Sequence, residues 1–193
     1  MGRKAGRSPD DTRRDILDAA RAALVQKGRS ASLADIARQA QVTKGGLLYH
    51  FGTKEDLFAA LADDLLRSFD DLLTSMVEPD DHEPGRLCRA YVRASFVPWT
   101  PDDLDAVSPI LLAIVVDDDH VEAIVERFTV DLDARLRDDG LPADVVELVV
   151  AAADGASMQP LWWAGVDQAH RQRLEARLIA LTRVGGGDVV GAL

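Results

Sequence analysis

The chain has one cysteine, Cys88, so no internal disulfide can hold its fold. No apolar run approaches the roughly 20 residues that span a bilayer. The basic opening Met1-Gly2-Arg3-Lys4 leads into charged sequence rather than a signal-peptide core. A cytoplasmic protein with no membrane partner is therefore expected. Aromatic residues make up only 5%, so the core has to be built from Ala, Leu and Val, a composition that favours helices. Strand-like alternation and internal repeats are both missing. So are a Gly-rich phosphate loop, a nucleophile elbow and a credible nucleophile–base pair, which argues against an enzyme and against a bound cofactor. Asp117-Asp118-Asp119-His120 fits neither a calcium loop nor a zinc pattern. It reads as an acidic run opening a helix, and no metal site is assigned.

Charge is present in quantity but distributed unevenly. The net charge of −11 looks wrong for a partner of polyanions until it is divided by position. Residues 1–54 carry eleven Lys and Arg against five Asp, a balance of +6, and the remainder carries −17. A polyanion is attracted to the first segment and repelled by the rest, which orients the molecule on it. The plainer reading is an uneven solvated surface, and charge alone does not decide between the two.

Helix punctuation runs along the whole chain. Ser8-Pro9-Asp10-Asp11 is a start, with a hydroxyl cap, Pro in the first turn and acids at the positive end of the dipole. Ile16, Leu17, Ala20, Ala23 and Leu24 give that helix one apolar face, and Gly28 stops it. Ser32-Leu33-Ala34-Asp35 starts a second helix, with Asp in the box position. Thr43 caps a third through about Phe51. Thr53-Lys54-Glu55-Asp56 opens a long fourth helix, striped by Leu57, Leu61, Leu65, Phe69, Leu72 and Met76. Residues 79–85 form a polar loop. Further helices are expected near 84–97, 101–116, 119–138, 142–164 and 168–184, making about nine in an all-α fold.

Two short helices joined by a tight turn at Gln41-Val42 have the layout of a helix-turn-helix. Ala37 and Ala40 let the second helix cross closely, Val42 plugs the corner, and Leu47 and Phe51 anchor the second helix from inside. Its opening turn holds Lys44-Gly45-Gly46. Two glycines there cost about 1 kcal/mol each against Ala. Either their missing side chains let the backbone approach a DNA groove, or they relieve crowding at the cap. Tyr49 and His50 are placed to donate to phosphate oxygens, which positions rather than specifies; the alternatives are that Tyr49 caps the small core and His50 is merely exposed. Lys54 joins a cation to the free N–H groups of a helix start. With the capping residues Ser32 and Thr43, the expected DNA-contact set is Ser32, Thr43, Lys44, Gly45, Gly46, Tyr49, His50 and Lys54.

The run from Ser32 to Phe58, with Lys44-Gly45-Gly46-Leu47-Leu48-Tyr49-His50-Phe51 and Lys54-Glu55-Asp56-Leu57 at its centre, resembles the DNA-binding signature of the TetR family. With the first helix, the resemblance covers residues 12–60. It departs from many relatives in placing Tyr at 49, where they carry it one position earlier, at the site of Leu48. The resemblance implies a three-helix DNA-binding domain, 1–55, followed by a helical ligand-binding and dimerisation domain, 56–193; the long stripe of the fourth helix, which serves both sides, puts the junction inside that helix. It implies a homodimer on a pseudo-palindromic double-stranded operator, regulated by an unidentified small molecule. Repression relieved by ligand is the family's pattern; activation is the alternative.

The helices of that second region carry residues for both tasks. Val145, Val146, Leu148, Val149 and Val150 make an apolar surface wider than one stripe, as a helix buried on two sides needs. The small residues that follow, and a stripe on the last helix, place a four-helix dimer interface at Val149, Ala152, Ala156, Leu174, Leu178 and Leu181; burial within one chain is the alternative. Pro160 removes the hydrogen bond to the Ala156 carbonyl and predicts a kink. Phe69, Phe96, Trp99, Phe128, Met158 and Trp162 are the candidates to line an apolar, aromatic-edged ligand site, against plain core packing. Cys88 is expected to be core.

Overall fold

A computed structural model describes residues 8–97, 118–162 and 167–183, with Arg29 and residues 160–162 given by backbone alone. Eight α-helices lie among the described residues: α1 Pro9–Lys27, α2 Leu33–Gln39, α3 Lys44–His50, α4 Lys54–Ser75, α5 Arg86–Phe96, α6 Asp119–Arg137, α7 Ala143–Trp162 and α8 Gln168–Leu181. No strand is found among them. The helix expected at 101–116 lies outside the described residues.

Packing divides the chain into two compact units. The first contains, among described residues, 8–67 and 118–128; the second contains 68–97 and 129–183. Both divisions fall inside helices, α4 and α6.

In the first unit the helix starts are fixed by their own neighbours. Ser8 accepts from the N–H of Asp11 while Asp11 accepts from Ser8, and Ser32 and Asp35 repeat the arrangement. Thr43 accepts from the N–H of Gly46 at 3.0 Å, and Thr53 and Asp56 close a box at the start of α4. Each pair satisfies donors that the first turn of a helix leaves open. The helices bury Ile16, Ala20, Ile36, Leu47, Leu57 and Leu61 almost completely in one core, which Val121 of α6 joins. Small residues, Ala20, Ala23, Ala37 and Ala40, bring α1, α2 and α3 close.

The second unit is organised around α5, which is buried along nearly its whole length and packs on both α7 and α8. Val145, Val146, Val149, Ala153 and Ala156 form the inward stripe of α7. The first turn of α5 has no side-chain cap of its own. Instead Asp139, from the loop after α6, accepts from the N–H groups of Leu87 at 2.6 Å and Cys88 at 3.0 Å. Gly85, at φ 85°, permits this approach, and a Cβ there would meet Leu141 at 2.6 Å. Arg89 is fully buried, and all its donors are used: Asp81 takes two, and the Pro84 and Glu83 carbonyls and the Thr182 hydroxyl take the others. That guanidinium pins the 79–85 loop and the end of α8 to α5, and its charge holds the Asp81 carboxyl well below the usual carboxylate range.

Pro160 lies within α7, and its side chain is outside the described set. The carbonyl it leaves without an intrahelical donor is that of Ala156, and Arg171 of α8 donates to this oxygen at 2.8 Å. The same guanidinium lies 5.1 Å from the Phe96 ring centroid. Cys88 is buried, and burial pushes its thiol up to about 11. Asp118 accepts from the N–H groups of His120 and Val121, so the acidic run does open α6.

Candidate nucleic-acid interface

The turn between α2 and α3 is tighter than its sequence announces. Gln41 takes a left-handed backbone, φ 58°, with a non-glycine side chain. Its neighbour Val42 packs onto the core as a plug, and the N–H of Val42 donates to the Ala37 carbonyl at 2.9 Å. These constraints set the direction of α3. Leu47 is fully buried and Phe51 nearly so, while Leu48 packs partly buried against the same core. The opposite face of α3 is open. Lys44 and Gly45 are exposed, and Tyr49 is 86% exposed. An aromatic side chain so open to water caps no core, which removes the structural explanation for Tyr49. Its ring stands edge-on to that of His50, with centroids 5.4 Å apart.

The two glycines separate. A Cβ built at Gly45 meets nothing within 4 Å, so no crowding inside the protein calls for glycine there. At Gly46 a Cβ would lie 3.2 Å from Thr43 Oγ1, so the cap itself favours a missing side chain. Gly45 is therefore the position at which nothing among the described residues requires the missing side chain.

The capping hydroxyls also differ. Ser32 Oγ donates to Asp35 Oδ2 at 2.7 Å, so its proton is committed within the box. Thr43 Oγ1 accepts from Gly46 and donates to no acceptor among the described residues, which leaves its proton to donate outward. Asp35 also holds Lys27 at 2.8 Å and Arg38 at 2.6 Å. Lys27, then Ser32 and Arg38, keep that carboxylate well below the usual range. The +6 of the sequence is thus partly spent internally. Arg13, Arg14, Lys44 and Lys54 meet no carboxylate within 4.0 Å among the described residues.

Sequence reasoning missed Arg13. Its guanidinium lies 4.9 Å from the centroid of Phe51, the residue that ends α3, and Lys54 Nζ sits 5.1 Å from the Phe58 ring. Ring contacts hold both cations in place without neutralising them. Only the fold brings residue 13 beside residue 51; the local signal was no more than a basic pair at 13 and 14.

Comparison with known proteins agrees with this geometry. Residues 16–61 match the family described as bacterial regulatory proteins, tetR family, and residues 85–183 match the tetracyclin repressor-like C-terminal domain. The chain belongs to the TetR family. It is 35% identical over 85 residues to the HTH-type transcriptional regulator TtgR of Pseudomonas putida, a match spanning 44% of this chain and 40% of TtgR. Of solved structures, a transcriptional regulator from Rhodococcus sp. Rha1 superposes with a TM-score of 0.68 at 20% identity, covering 89% of this chain and 94% of that one. The multidrug binding protein EbrR, complexed with malachite green, gives 0.66 at 22% identity, with 88% and 96% covered. TetR membership groups the chain with regulators rather than enzymes.

Among the TetR-type features, the departure at 48 and 49 has a simple geometry: Leu48 turns inward and Tyr49 outward. The residues proposed for the second region scatter more widely. Val149, Ala156 and Leu178 are buried inside the single chain, so they present almost nothing to a partner. Ala152, Leu174 and Leu181 are half-buried. The open faces are instead Leu148, Ala151 and Gly155 on α7 and Ala169, Arg173, Ala176 and Ala180 on α8. Of the ligand candidates, Phe96 is buried, while Phe69, Phe128 and Met158 are half-buried. Trp99 and the Trp162 side chain lie outside the described residues.

Proposed function

We propose that this TetR-family chain is a homodimeric transcriptional repressor that leaves its operator when a small apolar or amphipathic ligand binds. The observation that carries the reading is the outward face of α3: Lys44 and Gly45 open to solvent, Tyr49 86% exposed, and Leu47 and Phe51 locked beneath. A helix so anchored inserts its first turn into a major groove of double-stranded DNA. Lys44 meets base edges or phosphate there, and Gly45 lets the backbone approach. Thr43, Tyr49, His50 and Lys54 donate to phosphates, joined by Arg13. Ser32, its proton already donated to Asp35, contributes through the N-terminal turn it caps, and Gly46 serves the Thr43 cap.

DNA contact is assigned to residues 1–55, and ligand binding and dimerisation to 56–193. One recognition helix covers too few base pairs for selectivity, so a twofold pair on a pseudo-palindrome, about 34–36 Å apart, suits the function. The open faces of α7 and α8 supply a surface for that pair. Small residues permit close approach, and Asp144 and Glu147 on one helix complement Arg173 and Arg177 on the other. That EbrR, of the same fold, takes up a small molecule supports an effector site in this chain. An effector acts only through different affinities for the two conformations, a coupling of about 1–3 kcal/mol.

The test uses a duplex selected by the chain from random DNA. Lys44→Ala is expected to weaken binding at least tenfold while thermal unfolding and sedimentation stay unchanged. Binding by the unaltered chain should fall steeply with salt as counterions are released. Unchanged affinity in the variant, or a flat salt response, overturns the assignment.

A further inference from the structure

Each buried or half-buried acid of the second unit has a cation or a donor beside it among the described residues, and Asp154 has the least, a single hydroxyl. Asp81 faces Arg89, Asp70 faces Arg135 at 2.7 Å, and Glu175 lies within the field of Arg93 and Arg171. Asp139 is held by two backbone N–H groups. Asp154, half-buried on α7, has the Tyr91 hydroxyl and no cation among the described residues. The stretches outside that set, 98–117, 163–166 and 184–193, contain neither Lys nor Arg. Their sequence therefore offers no further Lys or Arg in this half of the chain.

A carboxylate withdrawn from water without a counter-charge is costly: it takes up a proton more readily, or a charge from outside the chain offsets it, and such groups mark candidate binding sites. Burial, opposed by the tyrosine hydrogen bond, pushes this carboxyl above the usual range. The surroundings specify what kind of charge fits. Phe69 stands edge-on to the Tyr91 ring, with centroids 6.0 Å apart at 81°. Met158, one turn along α7 from Asp154, is half-buried on the same side of that helix. Rings and a thioether suit an apolar body, and aromatic faces attract cations.

We propose that Asp154, oriented by Tyr91, is the anchor of the effector site and selects a ligand with a cationic nitrogen on an apolar body. This rests on the reading that residues 56–193 bind an effector. Phe69 and Met158 flank the apolar body. The −17 balance of residues 55–193 draws a cation inward and repels an anion.

Three probes with one body and three charges separate the outcomes: 4-phenylbutylamine, 4-phenylbutanol and 4-phenylbutanoate, titrated calorimetrically into the full chain at neutral pH. The ammonium is expected to bind at least tenfold more tightly than the alcohol. Asp154→Asn should abolish that preference, leave alcohol binding unchanged, and keep or raise the ligand-free Tm. Equal or tighter binding of the alcohol or carboxylate overturns the cation assignment, and if that probe also releases DNA, effector control stands without it. No binding by any of the three overturns the proposal. So does a fall of several degrees in the ligand-free Tm of Asp154→Asn, which marks a structural tie. Loss of the dimer in that variant, seen by sedimentation, assigns the counter-charge to a second subunit and likewise overturns it.

Discussion

The two packing units solve the same problem, starting and stopping helices, by different means. In the first, every described helix start is capped by a residue within three positions of its partner. In the second, α8 still starts on a local cap, Asp167 accepting from the N–H of His170, but the other decisive polar contacts are remote in sequence. Asp139 caps α5 across about fifty residues, Arg89 reaches Thr182, and Arg171 takes the Ala156 carbonyl that Pro160 cannot serve. A short DNA-reading module has to present one face rigidly, and local caps do that without a large core. A helical core that responds to a ligand needs contacts between helices, because only those change when helices shift.

The contrast is broken most directly at Arg89. Removing one partner of a buried ion pair leaves the other charge uncompensated, at about 3–5 kcal/mol. Arg89→Ala is expected to lower stability by that amount in urea unfolding. The pH dependence gives a second reading of the same contact. Asp81 is held below its unfolded value, so its contribution is present above pH of about 4 and is lost as pH falls through the lower folded value. The unaltered chain should therefore lose stability on acidification, and Arg89→Ala should lose less of it over the same range. A cost under about 1 kcal/mol would show that remote contacts matter no more here than local ones.

Local caps should cost less when broken. Ser32→Ala removes the hydroxyl that joins Asp35 at the start of α2, and about 1 kcal/mol is expected. Asp35 keeps Lys27 and Arg38 in that variant, which limits the damage. A loss equal to that of Arg89→Ala would erase the distinction between the units.

The same contrast accounts for how much of the molecule was legible in its sequence. Ser8, Ser32, Thr43 and Thr53 announce their helices because the partner lies three residues on, inside the window over which a pattern is read. The exposed face of α3 followed from Leu47 and Phe51 in the same way. What sequence could not provide depends on the fold. Arg13 meets Phe51 only after α1 has folded back, and Gln41 adopts a left-handed backbone under tertiary pressure. The open and closed faces of α7 were the hardest. Its run of Val and Ala is apolar nearly all round, so periodicity cannot say whether Val149 or Leu148 faces inward; packing on α5 decides for Val149.

The smallest expected effect on stability is also the most discriminating, because its sign differs between folding and function. Gly45 lies in the first turn of α3 with no atom near its missing Cβ and no unusual backbone angle. Gly45→Ala therefore introduces no clash, reduces the freedom of the unfolded chain, and should stabilise the first unit by up to about 1 kcal/mol. The same methyl projects into the space where the backbone would approach the groove floor, so affinity for the selected duplex should fall. Stability and binding would then move in opposite directions from one added carbon. Gly46→Ala provides the control: its Cβ meets Thr43 Oγ1, so any gain in helix propensity is offset by a disturbed cap. If Gly45→Ala raised the melting temperature and left DNA binding unchanged, the open turn of α3 would be a feature of the surface alone, and the local rigidity of the first unit would have no reader's task to serve.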